Sequence, residues 1–354
     1  MTRKRLIKII LGLIISLIFL YLFLKNLKLE EIYREILNIE GSYLLGAVIV
    51  YLAGIWLRSW RWGFILAPIK KVPTKRLYPI YMISYMANNI LPLRMGDIYR
   101  AYVTGKKEGV SSAATLTTIA VERAFDGVTM LIFLIIIGTL FSPFSPAVNQ
   151  VIMVASLGFG IILLIMYALL VRNFITEHIL PWFIKYFPKK MTQGIRSSIN
   201  GIRIIIADPI IAVAPEGLSV KVTGLIKQLM EGLEVLKGPR ALMLTMIGSL
   251  ATWIVEALMF YIVLLAFGIT QPFYVAMATM AVVNLGIIIP AGPGYVGTFE
   301  TFCALILDAY GIDADLAGAY ALIVHTVQWI PSTLLGLIFM WTQHISFHEI
   351  SSSE

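Results

Sequence analysis

The chain has 354 residues, 59% of them hydrophobic and only 14% charged, with a net charge of +8. A soluble domain carries roughly 25% charged residues, so lipid rather than water must solvate much of this surface. The positive charges lie between apolar stretches, which excludes nucleic acid as a partner. The single cysteine, Cys303, excludes a disulfide framework and a cysteine-based zinc site.

Residues Met1 to Lys8 are basic and Ile9 to Leu24 apolar, the layout of a signal peptide. No small-x-small cleavage site follows in Tyr21-Leu22-Phe23-Leu24-Lys25-Asn26, which predicts a retained first helix. Segments near 6–24, 43–67, 113–139, 150–171, 241–267 and 315–342 are each long and apolar enough to span a bilayer. Two more apolar stretches, 78–104 and 273–308, are broken in the middle by Pro and Gly. Residues 172–240 are mixed and basic, with Val222, Leu225, Ile226, Leu229, Leu233 and Leu236 in one stripe opposite Lys221, Lys227 and Lys237. That pattern predicts a helix lying in the membrane interface.

Counting Lys and Arg orients the spans. With the N-terminus inside, the cytoplasmic pieces hold Arg3, Lys4, Arg5 and Lys8, then Lys70, Lys71, Lys75 and Arg76, then Arg94, Arg100, Lys106 and Lys107. Ten more lie from Arg172 to Arg240, whereas the external pieces hold only Lys25, Lys28 and Arg34. The asymmetry requires each broken stretch to enter and leave on one side. Both are therefore expected to be re-entrant hairpins, 78–104 from the cytoplasm and 273–308 from outside; the competing expectation is that Pro92 and Pro290 only kink ordinary spans.

The two broken stretches resemble each other: Asn88-Asn89-Ile90-Leu91-Pro92-Leu93-Arg94-Met95-Gly96-Asp97 and Gly286-Ile287-Ile288-Ile289-Pro290-Ala291-Gly292-Pro293-Gly294-Tyr295. Pro92 and Pro290 are 198 residues apart, as are Gly96 and Gly294. The same offset lays span 43–67 on 241–265 and 113–139 on 311–337. Three spans separate the start of one copy from the next, so the copies have opposite topology. The expected fold is an all-α membrane domain over 1–354. Its parts are a first span and external loop (1–42), a first repeat (43–139), a connecting span with a basic segment (140–240), a second repeat (241–342) and a cytoplasmic tail (343–354). Inverted repeats with broken helices are a transporter architecture, and irregular backbone at membrane depth needs protein or a watery cavity around it.

Ionisable side chains inside spans are costly and face the bundle interior or a polar cavity. Here they are Arg58, Arg61, Glu122, Arg123, Asp126, Glu256 and His325. The 198 offset sets Arg58 on Glu256 with opposite sign. Glu122 and Asp126 share a helical face, and Arg123 is placed to pair with Asp126. Two readings stand side by side: a cavity whose arginines hold a phosphate, or a closed network that pins helices together. Arg61, near a span end, is expected to snorkel, and Trp56, Trp60 and Trp62 to form an interfacial belt. Asp97 and Glu300 sit in the first turn after a hairpin tip, where an acid complements the helix dipole. His325 reads as a packing residue. The G-x-G-x-x-G run Gly292 to Gly297 lacks a βαβ context, and Asp313-Ala314-Asp315 reads as helix capping rather than a metal site.

Three runs resemble signatures of the lysylphosphatidylglycerol synthase transmembrane-region family: Asn88 to Arg100, Val121-Glu122-Arg123-Ala124-Phe125-Asp126, and Pro290 to Glu300. That family includes the flippase portion of multiple peptide resistance factors, which move aminoacylated phosphatidylglycerol between leaflets. The sequence ends at Glu354, with no room after the last span for the synthases' soluble aminoacyltransferase domain, so the resemblance implies translocation and not synthesis.

The expected function is movement of a phospholipid or polyprenyl-linked head group between leaflets of the plasma membrane, with a membrane lipid as substrate, both termini cytoplasmic and no cofactor. Candidate ligands are Arg58, Arg94, Arg100, Glu122, Arg123, Asp126 and Glu256, around hairpin tips at Asn88, Asn89, Pro92, Gly96, Pro290, Gly292, Gly294 and Gly297. An ion-coupled transporter of a small molecule and a membrane lipid-modifying enzyme are the alternatives. An oligomeric or envelope-complex partner stays open.

Overall fold

A computed structural model describes residues 3–25, 27–91, 95–141, 144–174, 228, 231–233, 236, 238–289 and 292–345. Among them are eleven α-helices and no strand: α1 (Arg3–Leu24), α2 (Leu29–Leu37), α3 (Gly41–Leu66), α4 (Thr74–Ile90), α5 (Met95–Glu108), α6 (Ser112–Leu140), α7 (Pro146–Phe174), α8 (Pro239–Ala266), α9 (Phe273–Gly286), α10 (Thr298–Ala309) and α11 (Ala314–Thr342). Helices α3, α6, α7, α8 and α11 are long and apolar enough to cross a membrane, and α1 with α2 makes a sixth crossing if that pair, bent by 81°, counts as one span. Five of the six spans expected from hydropathy are thus long unbroken helices, and the first, expected over 6–24, falls in α1 of the bent pair. Caps fix several boundaries: Ser111 Oγ accepts the Ala114 N–H at the start of α6, and Asp313 accepts the N–H groups of Asp315 and Leu316 at the start of α11. Asp313 is thus a cap, as expected.

The order long, short, short, long occurs twice: α3 to α6 with 26, 17, 14 and 29 residues, and α8 to α11 with 28, 14, 12 and 29. Helices α3 and α8 pack along each other in opposite directions. The Glu40 N–H just before α3 donates to Ala266 O at the end of α8 (3.2 Å), while Arg61, late in α3, reaches back to Ser249 in the first half of α8. The hairpins are exchanged between halves, α4 packing on α11 and α9 on α6. Antiparallel equivalent helices and swapped hairpins describe a two-fold relation in the membrane plane.

Each short pair is a hairpin, not a kinked span. In the first, Ser84 Oγ donates to Gly96 O at 2.8 Å and the Gly96 N–H to Asn88 Oδ1 at 2.8 Å, so α5 runs back along α4. Its base is closed by Glu108, which meets Arg76 at 2.9 Å and Lys70 at 3.5 Å. In the second, Gly286 lies against the Phe302 ring, and the Tyr274 and Tyr310 rings meet at 6.1 Å at the base. Helix α6 starts beside the first base and ends beside the second, where Phe141 stacks on Tyr274. The two hairpins therefore enter from opposite ends, and the kinked-span expectation is corrected. The observed arms, 74–108 and 273–309, extend the expected 78–104 and 273–308 mainly at the first hairpin.

Lysines 70, 71, 75, 106 and 107 and Arg76 cluster at the base of the first hairpin; Glu30, Glu31, Glu35, Glu40, Asp313 and Asp315 lie at the opposite end. Most of the interfacial helix expected within 172–240 lies outside the described residues. Of its stripe, Leu233 is buried in the protein core, so that position faces protein and not lipid. Trp62 corrects the belt expectation: it is fully buried, donates to Thr118 Oγ1 at 3.1 Å and meets Tyr81 edge-on, while Trp56 and Trp60 are exposed.

Candidate functional site

The hairpin tips meet in the middle of the bundle. Asn89 Nδ2 donates to Ser332 Oγ (3.0 Å) and Thr333 Oγ1 (2.9 Å) on α11. A Cβ on Gly294 would lie 3.2 Å from Asn89 O and 2.7 Å from the Trp329 indole nitrogen. The second tip holds a 3-10 turn, Pro293–Tyr295; Gly294 within it (φ +66°) and Gly297 just after it (φ +87°) take positive-φ conformations that a side chain disfavours. Beside the tips is a cavity of about 240 Å³.

Two layers of charge surround it. The deep layer is Arg61, Arg100 and Glu122, all fully buried. Glu122 Oε1 binds Arg61 at 2.8 Å and the Tyr81 hydroxyl; Oε2 binds Arg100 at 2.8 Å. Arg61 also donates to Asp126 at 2.5 Å and to Ser249 Oγ at 2.8 Å. The Arg100 guanidinium lies over the rings of Tyr81 (4.3 Å) and Trp62 (4.6 Å), which take up the faces its hydrogen bonds leave. Arg61 does not snorkel. It lies a turn after Arg58 on α3, and the acids of α6 draw it inward. This layer forms no part of the cavity wall, so Arg100 and Glu122 are placed as supports behind it.

The second layer lines the cavity. Arg58 pairs with Glu256 and Tyr85 and rests on the Trp253 ring at 4.2 Å. Trp253 donates its indole N–H to Asp126 at 2.8 Å, and Gln328 donates to Glu256 at 3.2 Å. Arg58 and Glu256 are 198 residues apart and touch, so the pseudo-two-fold axis passes close to them. Arg123, about a third exposed, meets Asp97 at 2.9 Å and Asp126 at 3.4 Å. The expected Arg123–Asp126 pair is thus the longer of two, and Asp97 holds an arginine besides standing in a first helical turn. Counted together, Arg58, Arg61, Arg100 and Arg123 face Asp97, Glu122, Asp126 and Glu256, and the site is electrically balanced. Glu300 Oε2 accepts the Gly297 N–H at 2.7 Å, and Oε1 meets His325 Nδ1 at 2.5 Å. His325 stacks on Phe299 at 4.3 Å and also lines the cavity.

Of the sequence candidates, Arg58, Arg123, Asp126 and Glu256 line the cavity together with Asn88 and Asn89; Arg94, Pro92 and Pro290 lie outside the described residues. Tyr81, Tyr85, Trp253, Asn284 and Gln328 complete the site. Sequence reading passed over them because polar aromatic and amide groups scarcely disturb hydropathy. The 198 offset sets Trp253 against Ile55, at the centre of the α3–α8 crossing, which is the signal that marks it.

The fold and cavity define a polytopic α-helical membrane protein with two broken hairpins meeting over charged groups. The chain belongs to the family described as lysylphosphatidylglycerol synthase TM region, which matches residues 9–336. It is similar to a UPF0104 membrane protein of Methanothermobacter thermautotrophicus, 25% identical over 88% of this chain and 86% of that one. It is 22% identical to a UPF0104 membrane protein of Methanocaldococcus jannaschii over 93% of each chain. With the glycosyltransferase AglD of Haloferax volcanii it shares 24% identity over 97% of this chain but 55% of the relative. No solved structure matches it.

Proposed function

We propose that the protein carries a lipid head group between leaflets through the cavity at the hairpin tips, while the acyl chains stay in the bilayer. The observation that carries this reading is the mixed lining of the cavity: the charged groups Arg58, Arg123, Asp97, Asp126 and Glu256 share it with Ile162, Ile288 and Trp329, apolar side chains that are themselves exposed on the outside of the bundle. A site with such a mixed lining suits an amphiphile better than a water-soluble solute. Arg58 and Arg123 are the groups that would take the phosphate, and Glu256 and Asp126 would balance them or hold an amine.

The reading is of a transporter, not an enzyme. Each cavity carboxylate of this layer already holds an arginine, an arrangement suited to exchanging ion pairs with a charged cargo rather than to freeing a carboxylate for acid–base work. The relative named as a glycosyltransferase keeps a sugar-bearing lipid head group within the cargo class. The basic cluster at the base of the first hairpin supports a reading with that end in the cytoplasm and both termini on that side of the plasma membrane.

Reconstituted liposomes carrying fluorescent head-group-labelled lipids test this. Arg123→Ala and Glu256→Gln are each expected to slow translocation by about tenfold or more, since a charge-assisted contact contributes roughly 1.5–3 kcal/mol. Parental rates in folded variants would remove these residues from the mechanism.

A further inference from the structure

The two halves carry the same joint in chemically different forms. In the first half, the third residue of α5, Asp97, reaches Arg123 on the long helix that follows, at 2.9 Å. In the second half, the third residue of α10, Glu300, reaches His325 on the long helix that follows, at 2.5 Å. Helices α6 and α11 are both 29 residues long and start 202 residues apart, and the same 202 separates Arg123 from His325. One joint has a base that is charged at every physiological pH. The other has the side chain whose charge changes between about pH 5 and 8.

The histidine joint is also wired to the tip. Glu300 binds His325 with one oxygen and the Gly297 N–H with the other, at 2.7 Å. Gly297 packs on α1: a Cβ there would lie 2.6 Å from Ser16 O and Leu20 N. Gly292, at the other side of the tip, donates its N–H to Ser16 Oγ at 2.8 Å. The charge that Glu300 sees from His325 therefore bears directly on how tightly the second tip is held. Nδ1 is the ring nitrogen that faces Glu300 at 2.5 Å, and Nε2 is the ring nitrogen on the far side.

We propose that His325 is a proton-binding site of the cavity, and that the His325–Glu300 pair is a latch holding the second hairpin tip more firmly when the histidine is protonated. The step is simple: hydronium gives a proton to the ring nitrogen of His325 that does not face Glu300, leaving imidazolium and water. The charged groups facing His325 across the cavity are Arg58 with Glu256 on α3 and α8, and Arg123 with Asp97 and Asp126 on α5 and α6. They are joined to each other as ion pairs, and the phenols of Tyr51, Tyr85 and Tyr295 line the same cavity. On the joint itself the neighbours are Glu300 and the buried thiol of Cys303.

The test is a bimane fluorophore on Val296→Cys, an exposed tip position two residues from Gly294, which lies against the Trp329 indole that quenches bimane on contact; the native Cys303 is buried. In the full-length protein in liposomes, fluorescence is expected to change between about pH 5 and 8. The tip equilibrium should shift about fivefold, the difference between a neutral and a charge-assisted hydrogen bond. His325→Arg makes the second joint like the first and should hold the low-pH signal at every pH; His325→Gln should hold the high-pH signal. A parental protein with no pH response, or a monodisperse His325→Gln protein with the parental pH profile, would overturn the proposal. The consequence for transport rests on the cavity reading given above, whereas the tip reporter needs no cargo. A pH-dependent tip in a protein that moves no lipid would refute the transport reading and leave the latch standing.

Discussion

Replacing Glu122 with alanine is expected to cause a large loss of folded protein. The carboxylate is the sole anion shared by Arg61 and Arg100 in the deep layer, and all three are fully buried. Removing it strands Arg100 against two aromatic rings with only Asp97, 3.9 Å away, as a remaining acid. Breaking a buried pair from one side costs roughly 3–5 kcal/mol, and lipid gives no water to offset it. Thermal unfolding in detergent, followed by size exclusion, should show it directly. The double variant Glu122→Leu with Arg100→Leu should recover part of the loss, because Arg61 keeps Asp126 at 2.5 Å and no guanidinium is then without an acid. A single variant as stable as the parent would mean that the deep layer does not hold the helices together.

Gly96→Ala is expected to open the first hairpin. A Cβ at Gly96 would stand 2.0 Å from Ser84 backbone O and 2.6 Å from Asn88 Oδ1, and the backbone atom cannot step aside without moving α4. Overpacking typically costs about 1–3 kcal/mol, and a backbone collision of this depth belongs at or above the top of that range. The expected outcome is loss of the Ser84–Gly96 and Asn88–Gly96 hydrogen bonds and a tip that no longer meets α11. Protection of the tip from a membrane-permeant thiol reagent at Asn89→Cys reports it: faster labelling in the alanine variant is expected, and unchanged labelling contradicts the packing described.

Much of this was legible because membrane burial writes itself into the sequence. Apolar length located the five long spans and the apolar first helix, Pro and Gly located both tips, and the charge asymmetry pointed to 78–104 and 273–308 reversing. The 198 offset paired Arg58 with Glu256 before any distance was known. Hydropathy, however, reports the depth of a residue and not its rotation about the helix axis. Arg61 and Trp62 lie near the end of a span and read as interfacial, yet both turn inward, because their partners Glu122 and Thr118 come from a helix more than fifty residues away. The two acid–base joints were hidden for a related reason. They obey a spacing of 202 on the last long helix, so a single offset of 198 passes Arg123 by and sets Ala321, not His325, against it.

The central claim is that a lipid head group enters the cavity between the hairpin tips, and an experimental structure in lipid nanodiscs tests it most directly. The account predicts head-group density within about 2.7–3.2 Å of the Arg58 or Arg123 guanidinium, with acyl-chain density leaving past Ile162 and Ile288. Lipid seen only on the outer surface of the bundle, with the cavity holding nothing but water, would contradict it.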